Sequence, residues 1–183
     1  MLSSKDAVNV SIFAALYAVA SLLTAYIPTG PFFIQFRPAI AIPMIASVMF
    51  SPIVAGLSAA LGTFIASIAR YHTPLLTIFS GTPANFAGFC LMGFAYRRLR
   101  LRNVGWIYAI ILSSILGLFV GSIIIAFGLW FLAMTLMPEL GSFASLDYAL
   151  QASFLMVYAP APISIMLTLL IVKRLEKSGK ISL

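Results

Sequence analysis

Positive charge in this chain is gathered into three places, and the stretches between them carry almost none. Lys5 stands near the start. Arg97, Arg98, Arg100 and Arg102 cluster in the middle, and Lys173, Arg174, Lys177 and Lys180 close the chain. Only Arg37 and Arg70 interrupt the apolar runs as isolated basic residues. Of the 183 residues, 62% are hydrophobic and 8% charged, whereas a soluble domain carries about 25% charged residues. Folded in water, such a chain would expose apolar patches that single soluble domains avoid. The pattern predicts an all-α integral membrane protein.

A bilayer core needs about 20 apolar residues per helix. On that measure the chain is one transmembrane domain over 1–183, a compact bundle of six helices near 7–27, 38–50, 52–69, 83–98, 104–136 and 147–175. Ser51-Pro52 separates the second helix from the third, because proline disfavours helix in the residue before it. The polar, proline-bearing stretch 70–83 separates the third from the fourth. The second helix is short for a full span, so it is expected to be tilted, broken or buried in the bundle. The first is longer than a cleavable signal core of roughly 7–15 residues, and no small-x-small site follows it, so it is read as retained.

Six spans return both termini to one side. Lys5, the arginine cluster and the basic tail then share that side, and the positive-inside bias makes it cytoplasmic. The expected location is the cell membrane, multi-pass, with external loops at 28–36, 70–82 and 137–147. The net charge of +7 flanks apolar spans, so it points to a lipid bilayer and to no nucleic-acid partner.

Signals for catalysis are sparse. His72 is the one histidine, no metal-ligand cluster is present, and no phosphate-binding G-x-x-x-x-G-K-[ST] loop occurs. Neither a metal nor a cofactor is expected, and the chain is not read as an enzyme. The acidic residues Asp6, Glu139, Asp147 and Glu176 all fall near membrane edges, away from the mid-membrane positions of many ion-coupled carriers. Cys90 lies inside an apolar run and reads as a packing residue.

Small residues recur at four-residue spacing: Ala14 and Ala18, Gly56 and Ala60, Ala84 and Gly88, Gly117 and Gly121. Such stripes let helix backbones approach closely, within the bundle or against a partner. A second set is polar and aromatic and gathers toward the external side: Arg37, Tyr71, His72, Ser80, Thr82, Asn85, Tyr148, Gln151 and Tyr158. Separations of 3, 7 and 10 put the last three roughly on one helical face. Small-molecule sites are mostly apolar with a few placed polar groups, which makes these residues candidates for substrate binding. Asn85 and Gln151 equally suit helix-to-helix hydrogen bonds, and Tyr71, Tyr148 and Trp130 suit an interfacial belt. Arg37 and Arg70 suit either a pocket or external headgroups, with Arg70 read as a headgroup anchor.

The first helix reads Ser11-Ile-Phe-Ala-Ala-Leu-Tyr-Ala18, and a loop Ile27-Pro-Thr-Gly-Pro-Phe-Phe-Ile-Gln-Phe36 follows. Then come Arg37-Pro-Ala-Ile-Ala-Ile-Pro-Met44 and Phe50-Ser-Pro-Ile-Val-Ala-Gly56. This sequence resembles the substrate-binding S components of energy-coupling factor (ECF) vitamin importers. The Ala14 and Ala18 stripe and the F-x-P junction between the second and third helices carry the resemblance. Pro43 with Phe50-Ser51-Pro52 looks most like the riboflavin-type group.

The resemblance implies capture of a vitamin or related micronutrient at an external pocket. Energy would come from a separate transmembrane coupling protein and two cytoplasmic ATPase subunits. It implies a pocket at the external ends of the later helices, lidded by 28–36, and transport by toppling of the whole S component. Ala14 and Ala18 would then face the coupling protein. The rival readings are a self-sufficient small secondary transporter or channel, and a membrane-embedded lipid enzyme centred on His72.

Overall fold

The computed structural model describes residues 3–24 and 37–179. Among them the chain forms eight α-helices and two 3₁₀ segments, with no strand. The helices are α1 (Ser4–Thr24), α2 (Ala41–Met49), α3 (Pro52–Tyr71), α4 (Leu75–Phe79), α5 (Gly81–Leu101), α6 (Trp106–Thr135), α7 (Leu146–Tyr158) and α8 (Ala161–Lys177). The 3₁₀ segments are Pro38–Ile40, which leads into α2, and Pro138–Ala144, which follows α6. Four segments are long and apolar enough to cross a membrane: α1, α3, α6 and the run Leu146–Lys177. The expected lid at 28–36, Lys180 and the end of the first predicted helix lie outside the described residues.

Local sequence explains several helix ends. The Ser3 amide and hydroxyl both donate to the Asp6 carboxylate, and the Asp6 amide donates back to Ser3 Oγ. That reciprocal arrangement satisfies donors left open at a helix start. Ser51 caps α3 by accepting from the Val54 amide at 3.3 Å, with Pro52 at the first position. His72 ends α3 in the left-handed region, at φ 57°. The helix expected over 147–175 is instead two helices meeting at Ala159-Pro160, because proline removes a backbone donor and disrupts the preceding turn. The loops expected at 70–82 and 137–147 contain α4 and the second 3₁₀ segment.

Helix α5 packs on both α3 and α6, α1 packs on α3, and α2 sits among α3, α5 and α8. Small residues set these approaches. A Cβ added at Gly88 would lie 2.8 Å from the Gly117 carbonyl oxygen across the α5–α6 contact. A Cβ at Gly62 would lie 2.8 Å from the Ala14 carbonyl oxygen. Bundle packing also explains the first-helix stripe. Ala14 and Ala18 are each 3% exposed, covered by α3 rather than presented to a partner, which corrects the docking role expected for them. The open face of α1 carries Val8, Ile12, Leu16, Val19 and Leu23, the last 72% exposed. Apolar surface of this extent suits lipid rather than water.

Hydroxyls add bonds between helices. Ser47 Oγ donates to the Phe89 carbonyl at 3.0 Å, joining α2 to α5. Arg97 does more than flank a span. Its guanidinium donates to the carbonyls of Gly93, Ser47 and Phe50, and so satisfies acceptors left open where α2 ends.

Replacing Gly88 with leucine should force α5 and α6 apart and cost about 1–3 kcal/mol. The expected readout is a thermal midpoint lowered by several degrees in detergent, and an unchanged midpoint would refute the close contact. Arg97→Met should lower it as well, by stranding the α2 carbonyls.

Candidate functional site

The C-terminal end of α3, the N-terminal half of α5 and the far half of α6 converge around a cavity of about 100 Å³. Its polar wall carries Arg37, Thr63, Ser67, Arg70, Ser80 and Asn85. Leu129, Leu140, Phe143 and Met156 close the other side. A second cavity of about 70 Å³ adjoins it. This one is apolar, walled by Tyr17, Ile40, Phe89, Met92, Leu118 and the glycines of the α5–α6 contact. Arg37, Asn85, Ile125 and Met156 belong to both. The result is one polar lobe and one apolar lobe with a shared wall.

Asn85 is fixed at that wall. Its amide nitrogen donates to Thr63 Oγ1 at 2.7 Å and to the Gly81 carbonyl at 2.8 Å. Thr63 in turn donates to the Ala59 carbonyl at 2.9 Å. Both amide hydrogens are committed, so the oxygen is the acceptor Asn85 has left to offer. Beyond it the polar lobe is rich in donors. Ser21 Oγ, Ser67 Oγ and Arg70 Nη1 are buried and have no hydrogen-bond partner in the described chain. Most buried polar atoms in proteins are paired, and three such orphans on one cavity wall mark a place built to meet another molecule. The Arg70 guanidinium also lies 5.2 Å from the centre of the Tyr71 ring, within the range of cation–π attraction.

The sequence-predicted residues divide between this site and the surface. Arg37, Tyr71, Ser80 and Asn85 line the polar lobe. Thr82 stands one shell back, its hydroxyl 3.2 Å from that of Thr77, which does line it. His72 is exposed beyond the end of α3 and lines neither cavity. Gln151 is exposed, and Tyr148 packs its ring on Phe143 at 5.2 Å from outside. Tyr158 donates to the Ile115 carbonyl at 2.9 Å and stacks on Phe154. The face shared by 148, 151 and 158 thus points away from the cavities, and α7 offers Met156 and Val157 instead.

Arg70 is a wall residue of the polar lobe, not only a headgroup anchor. Thr63, Ser67 and Ser21 were missed as candidates. A signal for two of them was present, because Thr63, Ser67 and Arg70 are spaced 4 and 3 apart, which places them on one face of α3.

A bundle with a lipid-suited surface and a cavity of mixed polarity defines a membrane-embedded small-molecule-binding protein. A family model described as "ECF-type riboflavin transporter, S component" matches residues 1–177. The chain belongs to that family: it is the substrate-capture subunit of an ECF-type importer. This bears out the resemblance seen in the first three helices. The family is one of transporter components, which sets the lipid-enzyme reading aside. No curated protein and no solved structure matches the chain.

Asn85→Ala should weaken ligand binding by roughly tenfold, the value of one well-placed hydrogen bond to a buried group. Gln151→Ala should leave it within the small range typical of exposed sites. Titration calorimetry on both variants checks the pair, and equal effects would refute the assignment of the cavity.

Proposed function

We propose that this chain captures riboflavin in the two-lobed cavity, the flat ring system in the apolar lobe and the hydroxylated chain in the polar one. The observation that carries the reading is the junction at Asn85. There a wall of aromatic, methionine and glycine residues gives way to one of hydroxyls and arginines. A ligand that is apolar at one end and polar at the other matches that change of character. Within the site, Arg37, Tyr71, Ser80 and Asn85 contact the ligand, and Thr82 steadies the wall through Thr77.

The same proposal includes the membrane arrangement and the partners. Six spans, with α2 and α5 joining the four long segments, leave both termini cytoplasmic. Support for this orientation comes from charge. Arg97 binds the α2–α3 junction, so the arginine cluster sits at the end of α3 opposite Arg70 and the cavity. Positive residues favour the cytoplasmic side, and the cavity then opens outward. A separate coupling protein with two cytoplasmic ATPases drives release, since this sequence holds no phosphate-binding loop.

Titration of the purified chain with riboflavin, without ATP, should quench flavin fluorescence to a saturable endpoint. Proteoliposomes with this chain alone should not accumulate riboflavin under any ion gradient. Accumulation there would restore the secondary-transporter reading. Protease added to intact cells should spare a tag at either terminus, and cleavage of either tag overturns the orientation.

A further inference from the structure

A groove runs along the outside of the bundle between α5 and α6, and it shares no lining residue with either lobe. Its walls are Leu91, Phe94 and Ala95 of α5 and Leu112 and Leu116 of α6. Phe94 is 55% exposed and Leu112 51%, so the bundle itself leaves this apolar surface open. Arg98, also exposed, lines the groove, and exposed Arg102 follows four residues later at the end of α5.

The other two arginines of the cluster are engaged within the chain. Arg97 donates to the carbonyls of Ser47 and Phe50, and Arg100 donates to the Val104 carbonyl at 2.9 Å. No aspartate or glutamate among the described residues lines the groove. Asp6 belongs to α1 and Glu176 to α8, while Glu139 and Asp147 lie beyond the far end of α6. Arg98 and Arg102 thus offer positive charge beside an apolar channel that carries no counter-charge.

Charge and apolar wall are stacked along the helix axis. Leu91, Phe94, Ala95 and Arg98 recur at spacings of three and four, which keeps them on one side of α5. Seven residues separate Leu91 from Arg98, about 10 Å at 1.5 Å per residue. Arg98 stands within one turn of the end of α5, and α6 begins nearby with Trp106 and the 68% exposed Tyr108, residue types that favour the headgroup level. An anion held at Arg98 therefore has an apolar channel beneath it that leads into hydrocarbon. A free inorganic anion would leave that channel empty. A phospholipid fills both parts: basic pockets between transmembrane helices hold anionic headgroups, and the guanidinium fork matches a phosphate in geometry.

We propose that this groove is a binding site for an anionic phospholipid, with its phosphate on Arg98 and Arg102 and one acyl chain laid between α5 and α6. The site belongs to the membrane-facing surface and does not depend on which ligand fills the cavity.

The test uses the full chain in nanodiscs of phosphatidylcholine and phosphatidylglycerol in equal parts, with the lipids retained by the protein read by native mass spectrometry. The wild type should retain phosphatidylglycerol over phosphatidylcholine, and absence of that preference overturns the proposal. Arg98→Gln should reduce the preference roughly fivefold, and adding Arg102→Gln should reduce it further. Lys177→Gln removes an exposed charge of the same sign from α8 and should leave the preference unchanged. An equal fall in Arg98→Gln and Lys177→Gln would mean diffuse attraction to a basic surface and overturn the site. Placement is checked on the wild type, so it does not depend on any variant folding. Phosphatidylglycerol with a photoreactive diazirine in its acyl chain should label peptides that contain 91–95 and 112–116. Label concentrated instead on the open face of α1, or spread evenly over the helices, overturns the assignment.

Discussion

Close backbone contact between α5 and its neighbours is the constraint on which the rest of the molecule depends. Lipid tails are as apolar as leucine, so burying hydrophobic side chains gives helices little reason to associate inside a bilayer. Association has to come from tight packing and from hydrogen bonds between helices. Here Gly88 lies against Gly117, and Gly56 lies against the Phe86 carbonyl. With three helices drawn together on small residues, larger groups such as Phe89 and Met92 are left beside a gap they do not fill. The apolar lobe is that gap, so the contact that holds the bundle also shapes its cavity.

Polar atoms in the bundle fall into two kinds. Ser47, Thr168 and Arg97 spend their donors on carbonyls of neighbouring segments. These bonds stitch α2 to α5 and α8, with Arg97 at the end of α2 that meets α3. Ser21, Ser67 and Arg70 hold donors in reserve at the other end. The first kind contributes cohesion. The second costs stability in the empty protein, and a ligand that meets those donors recovers it.

The helices were legible because their signal is additive. Runs of apolar residues between charges mark α1, α3 and α6 by length alone, and Ser51-Pro52 marks a boundary by local chemistry. The break at Pro160 was less legible, because proline within an apolar stretch is compatible with a kinked, continuous span. Side-chain direction was the weaker inference. Asn85 was found because an amide in an apolar run needs a partner. Gln151 obeys the same rule in sequence, yet it lies on the outer face of α7. The Ala14 and Ala18 stripe could not by itself distinguish a neighbour in the same chain from another protein. Arg70 was misjudged for a related reason: an arginine at a helix end looks the same in sequence whether it turns outward to headgroups or inward to a cavity.

Helix α6 runs 30 residues, or about 45 Å at 1.5 Å per residue, against a hydrocarbon layer of about 30 Å. Standing upright in an ordinary bilayer, it would carry apolar turns out into the headgroups. The mismatch must be absorbed by tilt or by local thickening of the lipid, each at a modest cost per ångström. Because α6 forms walls of both lobes, its inclination is tied to the shape of the cavity. Acyl-chain length in the surrounding membrane thereby becomes a variable to which ligand capture is exposed.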